Sequence, residues 1–175
     1  PVQLALAGKP RAVVAVLATF AAWIQDDLEH VVGYSIVGDA GVVMLAFAAL
    51  DPAAWTPGRV WILAFVVTRS AFAAWAAVVR DAFWTGSLSD LRGWAIRSPL
   101  LALGLVTITL AAIGLPGFAA FEARSDLVDL ALDGPLQAFV FIATLAPVAY
   151  YGRLLVLGLR RLDVSSAPAV DWRPH

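Results

Sequence analysis

The sequence predicts an all-α fold: a polytopic membrane helix bundle of about six crossings, one of which is a broken helix. Apolar residues make up 61% of the 175-residue chain, and its mean hydropathy is +0.83, more than a soluble domain of this length needs. Asp39, Arg69 and Arg124 lie inside the apolar stretches. An ionisable side chain there costs roughly 2.5 to 3.5 kcal/mol, so such charges usually serve a polar path or a buried pair.

Composition excludes several classes of function. Only 14% of the residues are charged and the net charge is −1, so we expect no nucleic acid partner. The absence of cysteine excludes disulfides, thiolate zinc sites and cysteine-ligated iron–sulfur clusters. His30 and His175 form no metal-ligand pattern with carboxylates. We therefore expect no metal, no other cofactor, and no directly bound nicotinamide or flavin.

Apolar stretches long enough for membrane helices follow one another along the chain, since a span needs about 20 residues. The candidates are 11–25, 31–50, 58–80, 97–114 and 135–158. Pro10 can precede a helix without removing a needed donor, and Asp51-Pro52 and Thr56-Pro57-Gly58 mark a turn. We expect a transmembrane bundle over 1–161 and a terminal tail over 162–175. The chain starts at Pro1, without a Met, which we interpret as a piece of a longer or processed polypeptide.

Tryptophans fall at or just beyond the predicted span ends, where an amphipathic ring is most favourable. We expect all of them to be interfacial: Trp23, Trp55, Trp61, Trp84 and Trp94.

Residues 115–133 allow two interpretations. They carry several charges and follow Gly114-Leu115-Pro116-Gly117. As a surface loop they would leave five spans. As a broken span they would give six, and their freed backbone groups would need protein or a water-filled cavity around them. The arginine distribution between loops is lopsided in both cases, so it does not decide, but six crossings would put both ends of the chain in the cytoplasm.

Asp39 and Arg69 are predicted to pair inside the membrane. Their helices are joined by a short loop, and each residue lies 11 positions from that connection. At 1.5 Å per residue, both side chains lie roughly 16 Å from the same membrane face. The pair could be a static link between the helices or part of a charge relay that gains and loses a proton.

A local motif at the predicted break resembles a known family. The stretch from Gly114 to Arg124 reads GLPGFAAFEAR. It is similar to the Gly-Ile-Pro-Pro-x-x-Gly-Phe-x-x-Lys pattern of the antiporter-like membrane subunits of respiratory complex I, nearest to subunit N of NADH-quinone oxidoreductase. Gly114, Pro116 and Phe121 match that pattern, and Arg124 stands where the family has its broken-helix Lys.

Further similarities occur in the same order along the chain. Residues 31–41 resemble the family's Leu-Leu-Ala-Tyr-Ser-Ser-Ile-x-His-x-Gly, with Asp39 at the His position. Residues 88–99 resemble its Leu-x-x-Leu-x-Gly-Leu…Pro segment, and Tyr150-Tyr151-Gly152-Arg153 is similar to its Tyr-Tyr-Tyr-Leu-Arg. The resemblance spans roughly residues 10–160, favours the broken span, and implies that about half of a full-length subunit lies upstream.

The resemblance implies a proton-translocating membrane subunit of an NADH:quinone oxidoreductase-type complex. Such a subunit has no redox chemistry and no catalytic residue of its own, and the implied proton path is Asp39, Arg69, Glu122 and Arg124. The expected partners are other membrane subunits and the lipid bilayer, in a bacterial inner membrane. The alternatives are a structural or assembly subunit with static ion pairs, and a cation/proton antiporter subunit of the multisubunit type.

Arg124 is expected to face the protein interior. A helix break leaves carbonyls unpaired, and a cation is favoured at the negative end of the preceding half-helix. The break would also let Glu122 or Asp126 fold back as its carboxylate partner. Arginine stays protonated, so Arg124 can bias its neighbours as a fixed charge but is a poor proton carrier.

Overall fold

The computed structural model describes residues 13–14, 16–49, 51–114, 117–132, 134–135, 137–138, 140 and 147–160. Helices dominate these residues, and the described ranges contain no β-strand beyond one isolated bridge between Asp27 and Ser87. The predicted class, an all-α membrane helix bundle, is confirmed. The predicted tail over 162–175 and the first 12 residues lie outside the described ranges.

Six named helices follow one another along the described chain, after a helical segment at 16–24. A 3₁₀ turn at Pro52–Ala54 separates the first two. The helices are α1 (Leu28–Ala49), α2 (Trp55–Phe83), α3 (Trp94–Arg97), α4 (Pro99–Ile113), α5 (Ala119–Ala131) and α6 (Pro147–Leu159).

Helices α1 and α2 are long and apolar enough to cross a membrane, with 22 and 29 residues. At 1.5 Å per residue they measure about 33 and 43 Å, against a hydrocarbon core of about 30 Å. Leu63 and Val67 on α2 are more than two-thirds exposed. Exposed apolar side chains of this kind are typical of a helix that is surrounded by acyl chains or by other apolar helices. The spans predicted at 31–50 and 58–80 are thus confirmed and slightly extended.

The connection between α1 and α2 defines one end of the bundle, the Asp51 end. Asp51 Oδ1 accepts a hydrogen bond of 2.8 Å from the Ala53 amide and caps the 3₁₀ turn, in which Pro52 occupies the first position. Just beyond, Gly58 allows the two helices to approach, because a Cβ there would lie 3.3 Å from the Ala46 Cβ. The two helices are therefore the antiparallel neighbours that the sequence predicts.

The opposite end of the bundle, the Asp27 end, is where α1 begins and α2 finishes. Asp27 Oδ1 accepts from the Glu29 and His30 amides at 2.9 and 3.2 Å, and Leu28 N donates to Gly86 O at 2.9 Å. Partial burial raises the pKa of Asp27, but the hydrogen bonds from His30 and Glu29 outweigh it and hold that pKa below its usual value. The hydrogen bond between Leu28 and Gly86 joins the start of α1 to the loop that follows α2.

The interfacial prediction is right for some tryptophans and wrong for others. Trp23, Trp55 and Trp84 are exposed near helix ends. Trp61 and Trp94 are only 3% and 1% exposed. Trp94 Nε1 donates to Leu154 O at 3.1 Å, so its ring packs against α6 and its N–H is paired inside the bundle. Spacing along the chain cannot reveal such a contact between distant helices.

Helices α4 and α5 lie along different halves of α2. Trp75, in the later half of α2, donates through Nε1 to Leu101 O of α4 at 2.9 Å. Leu127 of α5 packs in one cluster with Ala54 and Trp61, at the start of α2. Residues 119–131 are therefore a packed helix, and the surface-loop interpretation of 115–133 is wrong.

The last helix returns to the Asp27 end, since Leu157 O accepts from Gly93 N at 3.1 Å and Arg153 Nη2 donates to Asp26 Oδ1 at 2.6 Å. Helices α4 and α5 consequently carry the chain through the bundle once, as the two halves of one broken helix. The predicted broken helix is present.

Candidate functional site

Asp39 and Arg69 form an ion pair between α1 and α2. Arg69 Nε donates to Asp39 Oδ2 at 2.6 Å, and Arg69 Nη2 lies 2.5 Å from the same oxygen. The side chains are 3% exposed for Arg69 and 16% for Asp39. The equal depth inferred from helical rise therefore brings the two groups together, as predicted.

A tyrosine from α6 completes the contacts of Arg69. Arg69 Nη1 donates to the Tyr151 hydroxyl at 2.5 Å. Tyr151 is fully buried, and its ring packs edge-on against Phe72, with 4.8 Å between the centroids, and against Tyr150, with 4.7 Å. The guanidinium is thus held by a carboxylate on one side and a phenol on the other, so three helices meet at one cation.

Arg124 is the second buried cation of the site. It is 3% exposed, and its Nη2 donates to Ile113 O at 2.8 Å. Ile113 is the last residue of α4, whose final carbonyls have no partner within the helix. The predictions that Arg124 faces the interior and that the cation binds the negative end of the preceding half-helix are confirmed.

The prediction that Glu122 or Asp126 is the carboxylate partner of Arg124 is wrong. Glu122 and Asp126 are exposed on α5. Because α5 is continuous from Ala119 to Ala131, residues two positions either side of Arg124 point to other faces of the helix. The guanidinium instead lies against aromatic rings, with its ζ-carbon 5.5 Å from the Trp61 ring centre and 5.7 Å from that of Phe121.

Glycine makes the break between α4 and α5 possible. Gly114 ends α4 with a φ of +62°, and Gly117 has a φ of +93°, both in the region that side chains rarely adopt. A Cβ on Gly114 would lie 3.0 Å from the Phe121 amide nitrogen. The chain therefore turns sharply while the start of α5 stays close to the end of α4.

The site combines one anion with two cations. Asp39 and Arg69 pair directly, and Arg124 is buried at the helix break within range of both charges, so we treat the three groups together as one charged cluster. Of the four residues predicted for a proton path, the fold brings together Asp39, Arg69 and Arg124. Glu122 stays on the exposed face of α5. The sequence could not show this, because the phase of α5 relative to its neighbours depends on the break.

Some buried polar atoms beside the break have no hydrogen-bond partner among the described residues. They are Trp61 Nε1, Arg124 Nε and Ser125 Oγ. Buried polar groups are rarely left unpaired, and those that are often mark a hydrated or functional site. Within the described ranges, no group of three His, Cys, Asp or Glu side chains could hold a metal ion.

The sequence analysis did not predict the roles of Tyr151 and Trp61 in this site. It used Tyr150 and Tyr151 only as part of a resemblance and assigned Trp61 to the interface. A hydroxyl inside an apolar stretch is a usable signal, since a buried phenol normally needs a partner. Which partner it finds is decided by the packing of α6 on α2.

Comparison with known proteins gives a family match over most of the chain. The family described as "NADH:quinone oxidoreductase/Mrp antiporter, TM" matches residues 11–148. The match includes both long helices, the break and all three charged residues of the cluster.

Individual relatives are similar over nearly the whole chain. NADH-quinone oxidoreductase subunit N 2 of Solidesulfovibrio magneticus is 32% identical over 154 residues, covering 87% of this chain and 33% of the relative. Subunit N 1 of Streptomyces griseus is 31% identical, covering 93% and 37%. Subunit N of Cereibacter sphaeroides is 29% identical, covering 89% and 35%. The chain thus spans about a third of the length of the curated relatives it matches.

Proposed function

This chain belongs to the NADH:quinone oxidoreductase/Mrp antiporter membrane family, and we propose that it is part of a proton-translocating subunit of an NADH:quinone oxidoreductase-type complex. The named relatives are subunits N of NADH-quinone oxidoreductases, and their sequences align with most of this chain. The protein is a multi-pass protein of the bacterial inner membrane. Its partners are the other membrane subunits of such a complex, and the redox chemistry takes place in other subunits.

The observation that carries the proposal is the charged cluster at the helix break. Asp39, Arg69 and Arg124 are buried among helices whose outer faces are apolar, where isolated charges are costly. A fold that needed only stability would replace such a cluster with apolar side chains, because buried ion pairs are often no more stabilising than their apolar equivalents. The cost is better explained by a role in moving charge.

Asp39 is the member of the cluster that can exchange a proton. The two arginines remain protonated, so they act as fixed charges. While Arg69 contacts Asp39, the carboxylate is held in its charged form. When the contact loosens, Asp39 takes up a proton, and when Arg69 returns, the proton is released. The position of the Arg69 side chain thus controls proton uptake and release, and Asp39 carries the proton.

Arg124 sets the electrostatic balance of this exchange. As a second cation of the same cluster, it adds positive charge that repels an incoming proton. Its hydrogen bond to Ile113 O ties that charge to the end of α4. A small movement of α4 against α5 would therefore change the field at Asp39, which is how a conformational change elsewhere in a complex could drive the proton.

Water would have to reach the cluster for protons to pass. The unpartnered donors of Trp61, Arg124 and Ser125 line the region of the break and would bind water there. A break in a membrane helix is tolerated where it lies in protein or beside a water-filled cavity. These features support a hydrated path that starts at the break.

The test is NADH-driven proton uptake by proteoliposomes that contain the whole complex, measured with a pH-sensitive dye. The variant Asp39→Asn keeps the shape of the side chain and removes the carrier. We expect a clear loss of protons moved per NADH oxidised, with assembly retained. Asp81→Asn, at an exposed position at the end of α2, is the matched control and should behave as wild type.

An unchanged proton-to-electron ratio in Asp39→Asn, in an assembled complex, would contradict the proposal. It would favour the structural alternative, in which the ion pair only links α1 and α2.

A further inference from the structure

A groove with a volume of about 330 Å³ opens at the Asp51 end of the bundle, between the last turn of α1 and the first turns of α2. Its lining includes Ala46, Gly58 and Ile62 together with two aromatic side chains. These are Phe47 and Trp55, which are 62% and 66% exposed. A groove with so apolar a lining suits an acyl chain.

Two opposite charges line the same groove. Arg59 lies with its ζ-carbon 5.3 Å from the Trp55 ring centre and has no ion-pair partner among the described residues. Asp51 uses Oδ1 to accept from the Ala53 amide, which leaves its other oxygen available. The two charges share one groove but do not pair with each other.

We propose that this groove binds a phospholipid whose headgroup carries both a phosphate and a primary ammonium group, such as phosphatidylethanolamine. The Arg59 guanidinium would bind the phosphate, for which its planar donors are well suited. The free oxygen of Asp51 would accept a hydrogen bond from the ammonium group, and an acyl chain would lie along Ala46, Gly58 and Ile62. The inference does not depend on proton translocation.

The position and the charges both favour this occupant. Helix ends with exposed tryptophan lie at the level of lipid headgroups. A choline headgroup has no N–H to donate to Asp51, and a glycerol headgroup brings no cation. Only the ethanolamine headgroup combines a cation with N–H donors, so it alone can both neutralise Asp51 and donate a charge-assisted hydrogen bond to it.

Native mass spectrometry of the delipidated full-length subunit, titrated with one lipid at a time, tests the proposal. We expect phosphatidylethanolamine to bind more tightly than phosphatidylcholine or phosphatidylglycerol. Arg59→Gln should weaken binding of all three about tenfold. Asp51→Asn should keep the cap of the 3₁₀ turn, since asparagine also caps, and lower only phosphatidylethanolamine binding to the level of phosphatidylcholine. Arg92→Gln, at an exposed arginine of the opposite end, should change nothing.

Two kinds of experiment can overturn the proposal. In the binding titration, either equal binding of the three lipids or equal binding by wild type and Arg59→Gln would do so. The other concerns a photoreactive benzoylphenylalanine at position 47 in the whole complex: adducts with lipid support the proposal, whereas adducts only with protein show that another helix covers the groove.

Discussion

Arg124 donates a hydrogen bond of 2.8 Å to the carbonyl oxygen of Ile113 and so joins the two halves of a broken helix. The bond runs from the second turn of α5 to the last residue of α4. It pairs a cation with the negative end of a half-helix, in a region where an unpaired carbonyl would be costly. The charge and the break therefore stabilise each other.

Two substitutions of Arg124 should distinguish the effect of its charge on proton flux from the effect of its shape. Arg124→Lys keeps the cation and restores the residue that the resembling family has there, so we expect it to retain most of the proton flux. Arg124→Ala should reduce coupled proton flux to below about a tenth, a loss of more than 1.4 kcal/mol in transition-state terms, while the complex still assembles. Proton uptake by reconstituted vesicles and native gels measure the two properties. Wild-type flux in Arg124→Ala would leave this residue with a purely structural role.

The Asp39–Arg69 pair should show strong non-additivity. Asp39→Ala leaves the Arg69 cation buried and unpaired, which costs about 3 to 5 kcal/mol of stability. The double variant Asp39→Ala/Arg69→Ala removes both charges and should be more stable than the single variant. Thermal unfolding of the four proteins in one detergent gives the coupling energy. Losses that simply add would mean that the ion pair does not form in solution.

Tyr151 should matter through its hydroxyl alone. Tyr151→Phe keeps the ring contact with Phe72 but leaves Arg69 Nη1 without its acceptor, at a cost of about 1 to 3 kcal/mol. Arg69 should then be held less firmly against Asp39, and the number of protons moved per NADH oxidised should fall. Tyr34→Phe on the exposed side of α1 is the matched control. Equal proton-to-electron ratios for both variants would count against a positioning role for Tyr151.

Gly158 should tolerate no side chain, whereas Gly152 in the same helix should. A Cβ on Gly158 would lie 2.5 Å from Trp94 Nε1, and a Cβ on Gly152 meets nothing within 4 Å. Gly158→Ala should therefore push Trp94 off Leu154 O and destabilise the protein by about 1 to 3 kcal/mol. Gly152→Ala should be neutral or slightly stabilising, because alanine favours helix. Melting temperatures of the two variants in detergent provide the comparison, and equal effects would contradict the close packing.

The path of the chain predicts that Asp51 and Arg160 lie on opposite sides of the membrane. The sequence contains no cysteine, so single cysteines can be introduced at these positions and labelled from each side with an impermeant reagent. A cysteine at position 127, which is fully buried in α5, should resist labelling from both sides. Labelling of positions 51 and 160 from the same side would contradict this path of the chain. Free labelling throughout 118–130 would show that α5 does not enter the membrane.

The sequence by itself determined the class of fold, the two long spans and the meeting of Asp39 with Arg69. These features depend on local quantities: the length of an apolar stretch, the rise of 1.5 Å per residue, and the short connection that makes two helices neighbours. It also placed Arg124 beside a helix break, because the glycines and the resemblance mark that position directly.

Only the tertiary structure decided how the halves of the broken helix run, what Arg124 binds and which aromatic residues are buried. Residues 113 and 124, 69 and 151, and 94 and 154 are brought together by helix packing, and each contact depends on the rotation of one helix against another. Helices that are apolar on most faces carry no strong pattern to fix that rotation. Close side-chain packing and a few hydrogen bonds select it, and these arise only when the whole bundle is assembled.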